Sequence, residues 1–282
     1  MSKSPTAKAD NLVLYDAKAG ARPSRRRVPF HPTLITTASV IIAVLLWEYF
    51  GRNVDPLFSS YPTAIAGKLW AMTVDGSLFK ASMQSLRPLA AGFALSVVLG
   101  IPAGLLLGRF RWVEAAFGIY ITAGYAMPLI ALIPLFVLWF GLGFAVKVAI
   151  VTLLSFFPIC INTWIGVKAV PKTLIEVGKS FVASPLAIMV NIVLPASVPY
   201  VMAGIRLAVG KAIIAMIVAE FFTAISGLGG IILTASNNFE TAEMLAPIIV
   251  IMVFAVVITA LLEKLERWVA PWHVETSGQR ES

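Results

Sequence analysis

Six apolar stretches, each close to the roughly twenty residues a helix needs to cross a bilayer, dominate this chain. They run over about Leu34–Phe50, Leu86–Leu107, Phe117–Phe140, Phe144–Val167, Val198–Phe222 and Met244–Leu262. Hydrophobic residues make up 59% of the sequence and charged residues 13%, and the mean hydropathy is +0.89. A soluble domain of 282 residues could bury a core with far less. Strands are not expected, because the period-two alternation of a membrane barrel is missing. The expected fold class is an all-α polytopic membrane protein with six transmembrane helices. Pro102, Pro128, Pro134 and Pro158 interrupt the spans, which lipid tolerates only where neighbouring helices or water satisfy the freed carbonyls.

Basic residues set the orientation. With the N-terminus in the cytoplasm, the inside segments hold fifteen Lys/Arg and the outside segments four, Arg52, Lys68, Lys80 and Lys147. Both termini are therefore expected to be cytoplasmic. The same bias accounts for the net charge of +8 without any nucleic-acid partner. Residues 1–30 read as a basic, disordered tail, residues 31–56 as the first transmembrane helix and residues 271–282 as a C-terminal tail. The run Arg22–Arg27 ("RPSRRR") resembles a twin-arginine export signal, but an anchor before the first span fits better, since five more spans follow.

Chemistry is sparse. One cysteine, Cys160, and two histidines, His31 and His273, give neither a disulfide framework nor metal-ligand spacing. Neither H-E-x-x-H nor G-x-S-x-G occurs, so no catalytic residue is assigned. "GLGG" at Gly227–Gly230 lacks the lysine of a phosphate-binding loop and reads as a turn. In the outer loop, Ile65, Leu69 and Met72 fall at helical spacing, with Lys68 and Asp75 off that face, which suggests a short interfacial helix. Gly100, Gly104 and Gly108 form a small-xxx-small face for close helix approach.

Between the fourth and fifth spans, "VPKTLIEVGKSFVASPLAIMVNIVLPASVPY" breaks the apolar pattern. Pro171 suits a first helical turn. Leu174, Val177, Gly178, Phe181 and Val182 share one face, with Lys172, Glu176 and Lys179 off it. Ser184 is a good N-cap with Pro185 next, so a first helix should stop near Ala183 and a second begin at Pro185. That second helix should end before Pro195, leaving Pro199 to open the fifth span. The product is a pair of short amphipathic helices, which could dock into a protein or lie on lipid headgroups.

This stretch resembles the cytoplasmic signature of ABC importer permeases: E-A-A, a Gly six residues after the Glu, then I-x-L-P. Counted from Glu176, Ile192 falls at +16, Leu194 at +18 and Pro195 at +19, and Ala183-Ser184 match the pair after the Gly. Val177 and Gly178 stand where the family has two alanines, and Val182 stands where it has Gly. The expectation is that Ser184-Pro185 supplies the break instead. "SLRPLAAGFALSVVLGIPAGLLLGR", "MPLIALIPLFVLWFGLGFAVKVAIV", "FFPICINTWIGVKAVPKTLIEVGKS" and "LPASVPYVMAGIRLAVGKAIIAMIVAE" are similar to permeases for nitrate, sulfonate and taurine, with 57–270 as the permease domain.

The resemblance implies a coupling-helix loop between helices 4 and 5 that seats in a separate ATPase. Glu176, Ser180, Ala183, Ser184, Pro185, Ile192, Leu194 and Pro195 are its candidate contacts. It implies two copies of that ATPase, which would hold the ATP and Mg; this chain would bind no cofactor. It further implies a second permease copy in a homodimer, an extracytoplasmic solute-binding protein, and a bacterial inner-membrane location. The solute would be small and anionic. Met127, Pro128 and Pro134 are candidate pathway residues, with packing as the alternative. Arg206 and Lys211 could attract an anion or anchor the cytoplasmic end of their span; Glu220 could line a gate or pair with a base. The competing class is a stand-alone secondary transporter or channel, although midplane charges are few and no internal repeat is evident.

Overall fold

The computed structural model describes residues 32–55, 57–223 and 226–271. The N-terminal tail, His31, the run Arg22–Arg27, His273 and almost all of the C-terminal tail lie outside the described residues. Eleven α-helices account for most of the described chain, and no strand occurs among the described residues.

The chain separates after Leu46 into two units. The described part of the first is the beginning of α1 (Pro32–Arg52), whose Leu34, Ile41, Ile42 and Leu45 are exposed, as lipid-facing side chains are. The second unit starts within α1 at Trp47. There Trp47 Nε1 donates to the Ser60 carbonyl at 3.0 Å, and Thr63 Oγ1 donates to Glu48 Oε1 at 2.7 Å. These bonds tie the end of α1 to α2 (Pro62–Val74), the short helix that the outer-loop periodicity predicts. Ile65 and Met72 are buried and Leu69 packs beside them, while Lys68 reaches Glu243 Oε2 at 3.0 Å. That hydrogen bond holds the Lys68 ammonium above the ordinary lysine value. A raised lysine keeps its contribution through neutral pH and loses it as pH rises through the raised value.

Three helices form the centre. α3 (Ser77–Arg109) and α9 (Leu194–Thr223) pack along α6 (Phe144–Ala169), which is the most buried of the candidate spans. The predicted glycine face of α3 lies on α6. A Cβ on Gly104 would stand 2.4 Å from the Cys160 carbonyl oxygen, and one on Gly108 would stand 2.5 Å from Val167 Cβ. Cys160 is buried at this seam. α11 (Thr241–Val269) closes the set beside α10 (Gly227–Asn237) and α2.

Three expectations are corrected. The third span is not one rod: α4 (Arg111–Ala126) and the segment Leu129–Phe140, a 3₁₀ turn leading into α5 (Ile133–Phe140), are bent by 89°. Pro128 cannot donate to the ladder and forces Met127 into an extended conformation, ψ 144°, so the helix ends there. Second, the helical run does not stop before Pro195, and Pro199 opens no span but lies inside α9. From α8 (Pro185–Ile188) the chain passes through a π-turn, Met189–Val193, into α9, giving a continuous run Pro185–Thr223. In the wider turn the Leu194 amide reaches back five residues to the Met189 carbonyl, a register that relieves the crowding a proline imposes on the preceding turn. Third, the "GLGG" residues are the first turn of α10.

The glycine seam is testable. Gly104→Leu should lower the melting temperature of the detergent-solubilised chain by several degrees or prevent its insertion, because backbone sits where the side chain must go. Gly67→Ala in α2, where an added Cβ meets nothing within 4 Å, should be neutral or stabilising by up to about 1 kcal/mol.

Candidate functional site

The loop between α6 and α9 folds into a tight hairpin. α7 (Lys172–Ser180) ends in two crossed bonds: the Val182 amide donates to the Lys179 carbonyl at 2.9 Å, and the Ala183 amide to the Gly178 carbonyl at 3.1 Å. This is a Schellman cap, whose C′ position requires a left-handed residue. That residue is Val182, at φ 56°. The expectation that Ser184-Pro185 breaks the chain in place of a glycine is therefore half right. Ser184 does cap α8, its Oγ accepting from the Ala187 amide at 3.2 Å. The reversal at position 182 is still made, by a β-branched residue for which it is strained.

The hairpin's interior is Ile175, Gly178, Ala183, Ile188 and Ile192, packed with Val167 and Val170 at the end of α6. A Cβ on Gly178 would lie 2.8 Å from Ile192 Cδ1, so the glycine standing where the resembling family has alanine lets the two arms close. Of the predicted apolar face only Gly178 turns inward; the rest points outward, as a docking face would. Leu174, Val177, Phe181, Val182 and Leu186 are all exposed, Phe181 by 82% and Val182 by 91%. Of the candidate contact residues, Glu176, Ser180, Ser184 and Pro185 are exposed beside this patch. Ala183, Ile192, Leu194 and Pro195 are only partly exposed, and Ala183 and Ile192 help to brace the hairpin.

A buried polar network holds α10 (Gly227–Asn237) at the end of α9 opposite the hairpin. Glu220 is fully buried and Lys147 is 5% exposed. Glu220 Oε1 accepts from Ser85 Oγ at 2.8 Å and faces Lys147 Nζ at 3.5 Å, while Oε2 accepts from the Gly229 amide at 2.8 Å. Lys147 Nζ also donates to Ser226 Oγ at 2.9 Å. The remaining free amides of the α10 N-terminus are taken by neighbours: Gly227 donates to Gln84 Oε1 at 3.0 Å and Leu228 to Ser85 Oγ at 2.9 Å. The carboxylate thus meets both a cation and the positive end of a helix. Gly227 must be glycine, since its φ is 77° and a Cβ there would stand 2.0 Å from Glu220 Oε1. Of the two alternatives for Glu220, pairing with a base is what occurs. Ser85 and Gln84 escaped notice in the sequence, and Lys147 was counted only as a basic residue of an outside segment; the available signal was that a lone Glu and a lone Lys in separate apolar runs each need a partner.

Arg206 is paired with Glu266 of α11. Met127 and Pro128 line a cavity of about 280 Å³ together with Tyr125, Leu154 and Lys211. Pro134 is not among its lining residues; it occupies the first turn of α5. Among the described residues no group of His, Cys, Asp or Glu is placed to hold a metal ion.

Among the described residues five helices, or six if the bent pair counts as one span, are long and apolar enough to cross a membrane. Residues 96–272 match the family described as "Binding-protein-dependent transport system inner membrane component". The formylaminopyrimidine transport permease protein ThiX of Halalkalibacterium halodurans is 31% identical over 243 residues, 86% of this chain and 97% of that protein. The taurine transport system permease protein TauC of Escherichia coli K12 is 28% identical over 272 residues, 93% of this chain and 98% of its own. An inward-facing crystal form of the MetNI methionine ABC transporter superposes with a TM-score of 0.60 at 18% identity, covering 68% of this chain and 95% of that one. The chain belongs to the inner-membrane permease family of binding-protein-dependent ABC importers. It is a transporter permease, not an enzyme.

Two outcomes are expected. Val182→Gly should relieve the left-handed strain by about 1 kcal/mol, seen as roughly fivefold slower hydrogen exchange of the Val182-position and Ala183 amides. Glu220→Gln and Lys147→Met should each destabilise the chain by about 3 kcal/mol in denaturation measurements, and the double variant should recover most of the loss, because removing both charges leaves neither one buried alone.

Proposed function

We propose that this permease forms half of a solute pathway through a bacterial inner membrane and is driven through the α7–α8 hairpin by a separate ATPase that holds ATP and Mg. The observation that carries the reading is the exposed apolar patch Leu174, Val177, Phe181, Val182 and Leu186 at the tip of a braced hairpin. An apolar knob of this kind, rimmed by Glu176, Ser180, Ser184 and Pro185, has the form of an interface core seated in a partner's groove. Closure of the ATPase pair would rock the hairpin, and the continuous run Pro185–Thr223 would carry that motion along α9.

In this reading both termini are cytoplasmic and residues 57–270 are the permease domain. A second copy of the chain completes the pathway, two ATPase copies engage the two hairpins, and a solute-binding protein docks on the opposite face. The solute is small and anionic. Support for this comes from the chemistry named for TauC, taurine being a sulfonate.

Phe181→Asp and Leu186→Asp should each strip the ATPase from the detergent-purified complex and lower ATP-dependent uptake at least tenfold. A photo-crosslinker at position 181 should capture the ATPase. Capture of lipid alone, or uptake by the isolated chain in liposomes without ATP, would overturn the reading.

A further inference from the structure

Lys211 is a charge within a membrane-length helix that the fold leaves without a partner among the described residues, and unlike Arg87 of α3 it lines a cavity. It lies in α9 beside the cavity of about 280 Å³ and is exposed to it. Arg206, five residues earlier, is neutralised by Glu266, and Lys147 by Glu220. Lys211 has no hydrogen bond or ion pair among the described residues, and no carboxylate lines the cavity. Its depth follows from its neighbour. Leu154, on the same cavity wall, is ten residues beyond Phe144 at the start of α6, about 15 Å along the helix and half the thickness of a hydrocarbon core. Four methylenes cannot carry an ammonium from there to the headgroups, so the anchoring alternative fails for Lys211.

A charged amine at the midplane persists where it faces water or a counter-ion. The cavity offers such a place because the chain is broken there: the wall opposite Lys211 is the Met127–Ile130 segment, where the 89° bend opens the bundle. Its other polar side chain is the Tyr125 phenol, and Met127, Ile130, Leu154 and Ile214 make the rest apolar. One fixed cation, one hydroxyl and an apolar wall suit a small solute with an anionic head and a short hydrocarbon body.

We propose that Lys211 is the anion contact of the transport cavity, receiving a small organic oxyanion, a sulfonate or carboxylate, with its body against Met127 and Ile130. This rests on the pathway reading given above and adds the residue and the headgroup chemistry. Lys147 is buried and cannot serve, since Glu220 already pairs with it.

The test uses the full chain in lipid nanodiscs, open to both faces, with the single cysteine, Cys160, replaced by Ala and Met127→Cys as reporter. The probes are sulfonatoethyl methanethiosulfonate, itself a sulfonate, and its trimethylammonioethyl counterpart. With Lys211 present the anionic reagent should label faster. Lys211→Met should lower the anionic-to-cationic rate ratio about tenfold, while Lys211→Arg should retain it. Lys211→Gln serves if the Met variant does not fold. An unchanged ratio, or no labelling by either reagent, overturns the proposal. No ATPase takes part, so that result would leave the hairpin reading standing; loss of ATPase capture at position 181 would remove the hairpin reading alone.

Discussion

The close approach of α3 and α9 to the two sides of α6 is the constraint from which the other features follow. In lipid, apolar side chains gain little by leaving one hydrocarbon surface for another, so helices associate where backbones can come near enough for dense dispersion contact. Gly104 and Gly108 give α3 that access, and Gly204 does the same for α9, where a Cβ would lie 2.8 Å from Asn162 Cβ. With the seam closed, α6 has no freedom to shift relative to its neighbours. That fixity is what allows a carboxylate from α9, a hydroxyl from α3 and an ammonium from α6 to converge on one point. The ion pair is affordable only because the surrounding backbone is already held.

The polar convergence in turn organises the short α10. A helix of eleven residues whose first turn is Gly-Leu-Gly-Gly has little helical propensity of its own. It exists because Glu220, Ser85 and Gln84 take its free amides. The hairpin at the other end of α9 uses a different device, a strained left-handed valine locked by two backbone bonds and packed against the end of α6. One end of α9 is therefore fixed by charge and the other by apolar packing.

Much of this was legible in the sequence, and for physical reasons. Hydropathy finds the spans because lipid permits few alternatives to a helix, and α2 could be seen because Ile65, Leu69 and Met72 repeat at its period. The start of α8 could be read from Ser184-Pro185, since capping is local. What escaped was non-local or compensated. The contacts of Glu220 with Ser85 and Lys147 join residues 135 and 73 positions apart, which no window spans. Pro195 looked like a helix end because proline rules are written for a regular α-helix, whereas a π-turn absorbs the misfit; Pro199, read as a helix start, lies inside α9. Periodicity likewise marks Leu174, Val177 and Phe181 as one apolar stripe, and they are exposed together, but it cannot say that Gly178 of that face and Ile175 turn inward.

The π-turn at Met189–Val193 has a geometric effect beyond accommodating a proline. One added residue per turn advances every later side chain by about 100° around the axis. Ile188 and Ile192 are thereby aimed at α7, while Ser197 and Gly204, further along the same rod, are aimed at α6. The wide turn works as a phase coupling between two gears cut on one shaft: it fixes the angular offset between the side chains that face α7 and those that face α6.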